Sequence, residues 1–256
     1  MTHDIWVGNV PVKTDLVVFD KDGTLIDFTE LWHGLAVQAI ENLLQHCNLD
    51  LAYADHFYTA LGFDPERATS DADGALAVGP NERIYRLVER QLRTFGEGSD
   101  RSRQSVAAAF RPVLEASPAA SMLRPAGDVQ AVFQHLKARG IKIAVATTDI
   151  RHSTVATLRH LGVLELIDDL ICADDSFRTT KPDPQALIRL ASDLDVRPEH
   201  VIMVGDTVGD MRMARLTGVC TGIAVLTGAG TREQLKPWAD LLIDGIDAIR
   251  TAPPTN

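Results

Sequence analysis

Residues 16–25 read LVVFDKDGTL. The first four are apolar without alternation, the pattern of a strand covered on both faces. Asp20 and Asp22 follow at once, two residues apart on the turn that leaves the strand, so both carboxylates can face one pocket. Gly23 permits the sharp bend such a turn needs. Five further short apolar runs read the same way: Ile141–Ala146, Leu170–Cys172, Val201–Val204, Gly222–Val225 and Leu241–Ile243. Amphipathic helices lie between them. Asp128 is placed to cap one that carries Val129, Val132, Phe133 and Leu136 and stops at Gly140. Asp183 is placed to cap another that begins at Pro184, with Leu187, Leu190, Ala191 and Leu194 on its inner face. This alternation, from about residue 125 onward, predicts an α/β fold with right-handed crossovers and a parallel sheet.

The stretch from 28 to 120 has a different texture, helical only. Leu31, Leu35, Ala39, Leu43 and Leu44 form one apolar face. Ile84, Leu87, Val88, Leu92 and Phe95 form another, broken only by Gln91. Ser70 to Pro80 reads as a loop between them. The expected organisation is a core of residues 1–27 and 121–256 with an all-helical cap, 28–120, inserted after the first core strand. Such a cap leans over the carboxyl ends of the strands, where open α/β sheets bind their ligands. Thr251 to Asn256, with two prolines, reads as a loose tail.

The composition narrows the partners. The net charge is −10, so nucleic acid and anionic membrane surfaces are repelled over long range. Cys47, Cys172 and Cys220 have no metal-site or disulfide spacing and read as small buried hydrophobes. No signal peptide or membrane-length apolar run is visible, and a cytoplasmic protein, monomer or homodimer, is expected. Neither a phosphate-binding GxxxxGK loop nor a GxSxG serine motif occurs. The histidines read as packing or solvent-facing, Arg101 and Arg103 as part of a solvated loop, and TGAG at Thr227–Gly230 as a weak glycine cluster.

Four short stretches fall at the expected strand ends or helix starts: FDKDGTL with Asp20 and Asp22, ATT with Thr147, KPDP with Lys181, and GDTVGD with Asp206 and Asp210. Any one of them alone reads as readily as a turn or a helix cap. Together, in order, they imply a site. Two carboxylates 4 Å apart repel by about 4 kcal/mol at an effective dielectric of 20. Four of them require compensation, and oxygen ligands without histidine favour magnesium over zinc. A cation, a lysine and a hydroxyl donor suit a phosphate. Asp20 then fits a nucleophile forming an acyl phosphate, and Asp22 fits a group that protonates the leaving oxygen and later deprotonates water.

These residues resemble the four motifs of the haloacid dehalogenase superfamily, in its phosphoglycolate-phosphatase-like branch, across essentially the whole core. The resemblance implies a Rossmann-like sheet with a helical cap. It implies Asp20 as nucleophile and metal ligand, and Asp22 as acid/base whose backbone carbonyl also meets the metal. It implies Thr147, Thr148 and Lys181 at the phosphate, and Asp206 and Asp210 at Mg2+. Relatives usually carry asparagine where this chain has Thr148, followed by Asp149, and often serine where it has Phe28; both departures bear on substrate fit. The expected activity is hydrolysis of a small phosphorylated metabolite, phosphoglycolate-like or a sugar phosphate. A phosphomutase of the same superfamily and a non-catalytic phosphate-binding module are the alternatives. The proton carrier at Asp22 argues against a dehalogenase, which attacks carbon.

Overall fold

The structure is a computed structural model that describes residues 3–252 except 68, 72, 73, 77–79 and 176–180. The last four residues of the expected tail therefore lie outside the described residues, as do several in the expected 70–80 loop. The strands are β1 (His3–Val7), β2 (Val10–Thr14), β3 (Leu16–Phe19), β4 (Phe63–Asp64), β5 (Thr69–Ser70), β6 (Lys142–Ala146), β7 (Asp169–Ile171), β8 (Val201–Gly205), β9 (Thr221–Val225), β10 (Leu241–Ile243) and β11 (Ile249–Arg250). The helices are α1 (Phe28–Cys47), α2 (Ala54–Leu61), α3 (Asn81–Thr94), α4 (Ser99–Ala109), α5 (Arg111–Leu114), α6 (Val129–Ala138), α7 (Arg151–His160), α8 (Gln185–Asp193), α9 (Val208–Leu216) and α10 (Arg232–Leu235).

The six apolar runs of the sequence form one parallel sheet in the order β10–β9–β8–β3–β6–β7. The chain leaves β3 for β6 and β7 on one side, then returns to β8 on the other. The order reverses at β3, which makes the β8–β3 junction a topological switch point, where ligands of such sheets bind. Burial explains the lack of alternation in LVVF. Leu16 and Val18 join the apolar layer of Leu187, Leu190 and Met213, while Val17 and Phe19 join the opposite layer. There the Phe19 and Phe133 ring centroids are 4.9 Å apart. Each such side chain contributes about 1.5–3 kcal/mol by leaving water.

A three-stranded antiparallel sheet, β11–β1–β2, stands beside this core. It was not expected from the sequence, although Gly8–Asn9 between Val7 and Val10 is a two-residue hairpin signal, and Gly8 has φ +59. Asp128 accepts from Ala131 N and caps α6 as expected, while α8 begins at Gln185 rather than Pro184, so that Asp183, two residues before it, accepts from Gln185 N and the cap position is Pro184.

In the 28–120 segment α1 packs on α4, and α4 on α3. Leu31, Leu35, Ala39, Leu43 and Leu44 are all buried, as their spacing predicts. The segment is not helical throughout, however. Phe63–Asp64 and Thr69–Ser70 pair as a small antiparallel hairpin, so Ser70 belongs to a strand and not to a loop. Arg101 and Arg103 are solvated as expected, but they lie on α4 rather than in a loop. Where the chain leaves the core and where it re-enters, the two flanks are tied to each other: Asp27 N donates to Arg124 O at 2.8 Å and Ala126 N to Leu25 O at 3.0 Å. Among the described residues, no helix is long and apolar enough to cross a membrane.

Candidate active site

Three neighbouring strands deliver side chains to one edge. Phe19 sits opposite Val145 on β6 and Val204 on β8. Asp20, Thr147 and Asp206 therefore emerge together just beyond the carboxyl ends. Asp20 N donates to Val204 O at 2.8 Å, which fixes the turn as it leaves β3. Asp210 comes from the first turn of α9. Its Oδ2 accepts from Thr207 N at 3.0 Å and from Thr207 Oγ1 at 2.6 Å, a capping box that starts the helix and holds the carboxylate.

Asp20, Asp206 and Asp210 are buried and each offers one oxygen within 4.8 Å of the others. Lys181 lies between two of them, with Nζ 2.5 Å from Asp20 Oδ1 and 2.6 Å from Asp210 Oδ1. The second contact is an ion pair that is not aligned as a hydrogen bond, and among the described residues Asp210 Oδ1 has no hydrogen-bond partner. Asp206 receives Ala229 N at 2.9 Å and Thr24 Oγ1 at 3.3 Å.

One ammonium does not balance three carboxylates. Burial pushes the Asp20 carboxyl up to about 6; Lys181 opposes the shift, and Asp210 and Asp22 add to it. Burial, then Asp20 and Asp210, hold Asp206 well above the ordinary carboxylate range. Lys181 is raised, because Asp20 and Asp210 outweigh the opposing effect of its burial. An oxygen-only set of this kind, crowded, protonation-prone and with a buried oxygen that takes part in no hydrogen bond among the described residues, fits a hard divalent cation.

The glycines nearby make room for Asp206. A Cβ on Gly228 would lie 2.0 Å from Asp206 Oδ2, and one on Gly23, at φ +84, would lie 2.4 Å from it. Thr227 Oγ1 donates to Gly23 O at 2.6 Å, tying the TGAG loop to the DKDG turn. The cluster read as weak from sequence thus forms one wall of the site.

Asp22 stands apart from the carboxylate trio. Its Oδ1 is 2.5 Å from Nζ of Lys21, whose side chain is fully buried. Lys21 also reaches Asp149 Oδ2 at 3.1 Å. Burial pushes Asp22 up, offset in part by Lys21 and reinforced by Asp149. Thr147 is buried and its Oγ1 accepts from Asp149 N at 3.1 Å. Thr148 instead lines a cavity of about 320 Å³ between the core and the inserted segment, with Asn81, Glu82, Glu115, Ile150 and Asp174. Sequence reasoning missed Lys21, Thr24, Thr207 and Ala229, and named Asp149 only as a neighbour of Thr148 that bears on substrate fit. Only Thr207 carried a signal, as the first residue of a T-x-x-D cap.

The model of the haloacid dehalogenase-like hydrolases matches residues 14–218 of this chain. A phosphoglycolate phosphatase from Aquifex aeolicus is 25% identical over 210 residues, covering 82% of this chain and 84% of that protein. A pyrophosphatase PpaX from Oceanobacillus iheyensis is 23% identical over 235 residues, covering 92% and 94%. The crystal structure of a predicted phosphoglycolate phosphatase from Haemophilus somnus superposes with a TM-score of 0.66 at 20% identity, over 91% of this chain and 95% of that one. With its Rossmann-like parallel sheet, its inserted helices and a family match that reaches from Thr14 past Asp210, this chain belongs to the haloacid dehalogenase-like hydrolases.

Proposed function

We propose that the protein is a magnesium-dependent phosphatase that hydrolyses a small phosphomonoester through an aspartyl-phosphate on Asp20. The observation that carries this reading is the buried set of Asp20, Asp206 and Asp210 with Lys181 at 2.5 Å from Asp20, at the sheet's switch point. Asp20, Asp206 and Asp210 would hold the cation, with the backbone carbonyl of Asp22 as the resemblance implies. Once bound, it neutralises the clustered carboxylates and the phosphoryl oxygens.

Asp20 attacks phosphorus while the ester P–O bond breaks, and Asp22 gives its proton to the departing oxygen. Asp22 then takes a proton from water as that water attacks the aspartyl-phosphate. Phosphate leaves and Asp20 is restored. Lys181, Thr147 and the backbone about Thr148 hold the phosphoryl oxygens. The inserted segment excludes bulk water and polymers.

Relatives named for phosphoglycolate and for pyrophosphate are similarly distant, so the leaving group is read from this chain. The cavity beside Thr148 carries Glu82, Glu115 and Asp174. A carboxylate such as glycolate meets like charge there, whereas a sugar hydroxyl meets acceptors. That lining favours a sugar phosphate over phosphoglycolate. The test is phosphate release from sugar phosphates, phosphoglycolate, pyrophosphate and a phosphopeptide, with magnesium and then with a chelator. Turnover of small esters that needs magnesium is the expected result. Full activity in metal-free buffer, or preference for the phosphopeptide, would overturn the reading.

A further inference from the structure

Lys21 is among the largest side chains with no exposure at all. A buried ammonium persists only where its surroundings compensate it. Here the compensation is directional. On one side is Asp22 Oδ1 at 2.5 Å, on the other Asp149 Oδ2 at 3.1 Å. Asp149 is itself pinned. Ser153 Oγ donates to its Oδ2 at 2.8 Å and Ile150 N to its Oδ1 at 2.7 Å. Its own N–H donates to Thr147 Oγ1 at 3.1 Å, and its carbonyl accepts from Ala173 N at 2.9 Å. A continuous line of polar contacts therefore runs from the first turn of α7, through Asp149 and Lys21, to Asp22. It ends on the one acidic group of the β3 turn that the carboxylate trio leaves out.

From this geometry we infer that Lys21, braced by Asp149 and Ser153, is a positioning residue for Asp22. It fixes the direction of the carboxylate that hands a proton to the leaving oxygen and later takes one from water. The inference rests on Asp22 being the proton carrier of the proposed reaction. A lysine serving only to fill the core would be replaceable by an apolar side chain of similar length, because a buried ion pair is often no more stabilising than one. A positioning lysine is not replaceable in this way. Its loss lets Asp22 rotate, which slows the proton-dependent steps and leaves phosphate binding alone.

The experiment compares Asp149→Asn, which keeps Lys21 paired with Asp22, and Lys21→Met/Asp149→Asn, which removes one charge of each sign and so keeps the net charge around Asp22 unchanged. Thermal unfolding first establishes that each variant is folded. Release of the leaving group in the first turnover is then measured for an alkyl phosphate and for nitrophenyl phosphate. Acid–base assistance contributes about 10²–10⁴-fold in full. The double variant is expected to lose about 10–100-fold with the alkyl ester, clearly less with the nitrophenyl ester, and to keep KM within about threefold. Asp149→Asn shows the same split at smaller amplitude. If Asp22→Asn is inactive yet both brace variants release alkanol at the wild-type rate, the inference fails and the proposed reaction stands. A loss equal for both esters, or one confined to KM, also overturns it. Wild-type activity in Asp22→Asn would overturn both.

Discussion

The carboxyl edge of the sheet and the cavity under the inserted helices are built on opposite terms. At the edge the carboxylates are held: buried Asp206 by Ala229 and Thr24, buried Asp210 by Thr207 and Lys181, and the partly buried Asp22 by Lys21. In the cavity Glu82 is exposed and Thr148 faces open space. Glu115 is held by Tyr85 and Arg111, both from the same segment. The edge tolerates almost no change of shape, whereas the cavity can exchange side chains without disturbing the sheet. A fixed reaction with adjustable substrate choice is what this division predicts.

The comparison is broken most sharply at Asp20. Asp20→Asn keeps the shape but cannot form an acyl phosphate, and turnover should fall by about 10⁴-fold or more, as for other deleted nucleophiles. The melting temperature should hold, because Lys181 retains Asp210 at 2.6 Å and one crowded buried carboxylate is gone. Turnover near the wild-type level in a purified preparation would mean that the edge is not where the chemistry occurs.

How much of this was legible in the sequence follows the same division. Asp20, Thr147 and Asp206 could be placed because each follows, within two residues, a run of four apolar residues, and adjacent parallel strands must deliver such residues to one edge. Lys21 could not. A lysine between two aspartates reads as solvated charge, and only the turn after Phe19 puts it inside. Asp149 was visible only as a departure beside Thr148, and its contact with Lys21 needed the tertiary fold. The TGAG loop needed a tertiary neighbour, since nothing in Thr227–Gly230 announces that Asp206 will press against Gly228. The hairpin Phe63–Ser70 was hidden because two-residue strands carry no period. The cavity was hidden because its lining comes from α3, the end of α5 and two core loops, which no local pattern connects.

A second, smaller effect separates edge from cavity through protons. The folded-state pKa of Asp20 is raised to about 6 from 3.8, and that of Asp206 is raised as well. Without metal, the folded chain thus binds protons that the unfolded chain has released. The stability these groups contribute is full below about pH 4 and is lost as pH rises through about 6. Magnesium takes the place of those protons. The rise in melting temperature that it produces should therefore be larger at pH 7.5 than at pH 5. Gly228→Ala, whose new Cβ would fall 2.0 Å from Asp206 Oδ2, should blunt that rise and weaken the metal's apparent affinity by about 10–100-fold. An equal magnesium shift at both pH values would break the link between these carboxylates and the cation.

The smallest effect is expected in the cavity, at Glu82. This residue lies in the first turn of α3, where a carboxylate also favours the positive end of the helix dipole. Two readings of it can be separated. If Glu82 only supports the helix, Glu82→Gln costs about 0.3–1 kcal/mol of stability and leaves every kcat/KM ratio unchanged. If Glu82 faces the leaving group, the ratio itself moves. Removing its negative charge relieves a carboxylate-bearing ester and takes an acceptor from a sugar. The kcat/KM for phosphoglycolate relative to a sugar phosphate should then rise, by about 2–10-fold, the scale of a single partly solvated charge. Salt provides the control, because screening at exposed sites is strong: the gain should shrink between about 0.05 and 0.5 M ionic strength. Turnover of nitrophenyl phosphate, whose leaving group has neither feature, serves as the internal reference and should not change with the substitution. A ratio that stays flat across both esters, with the variant folded and active, would return Glu82 to the helix and leave Thr148 and Asp174 as the residues to examine for substrate choice.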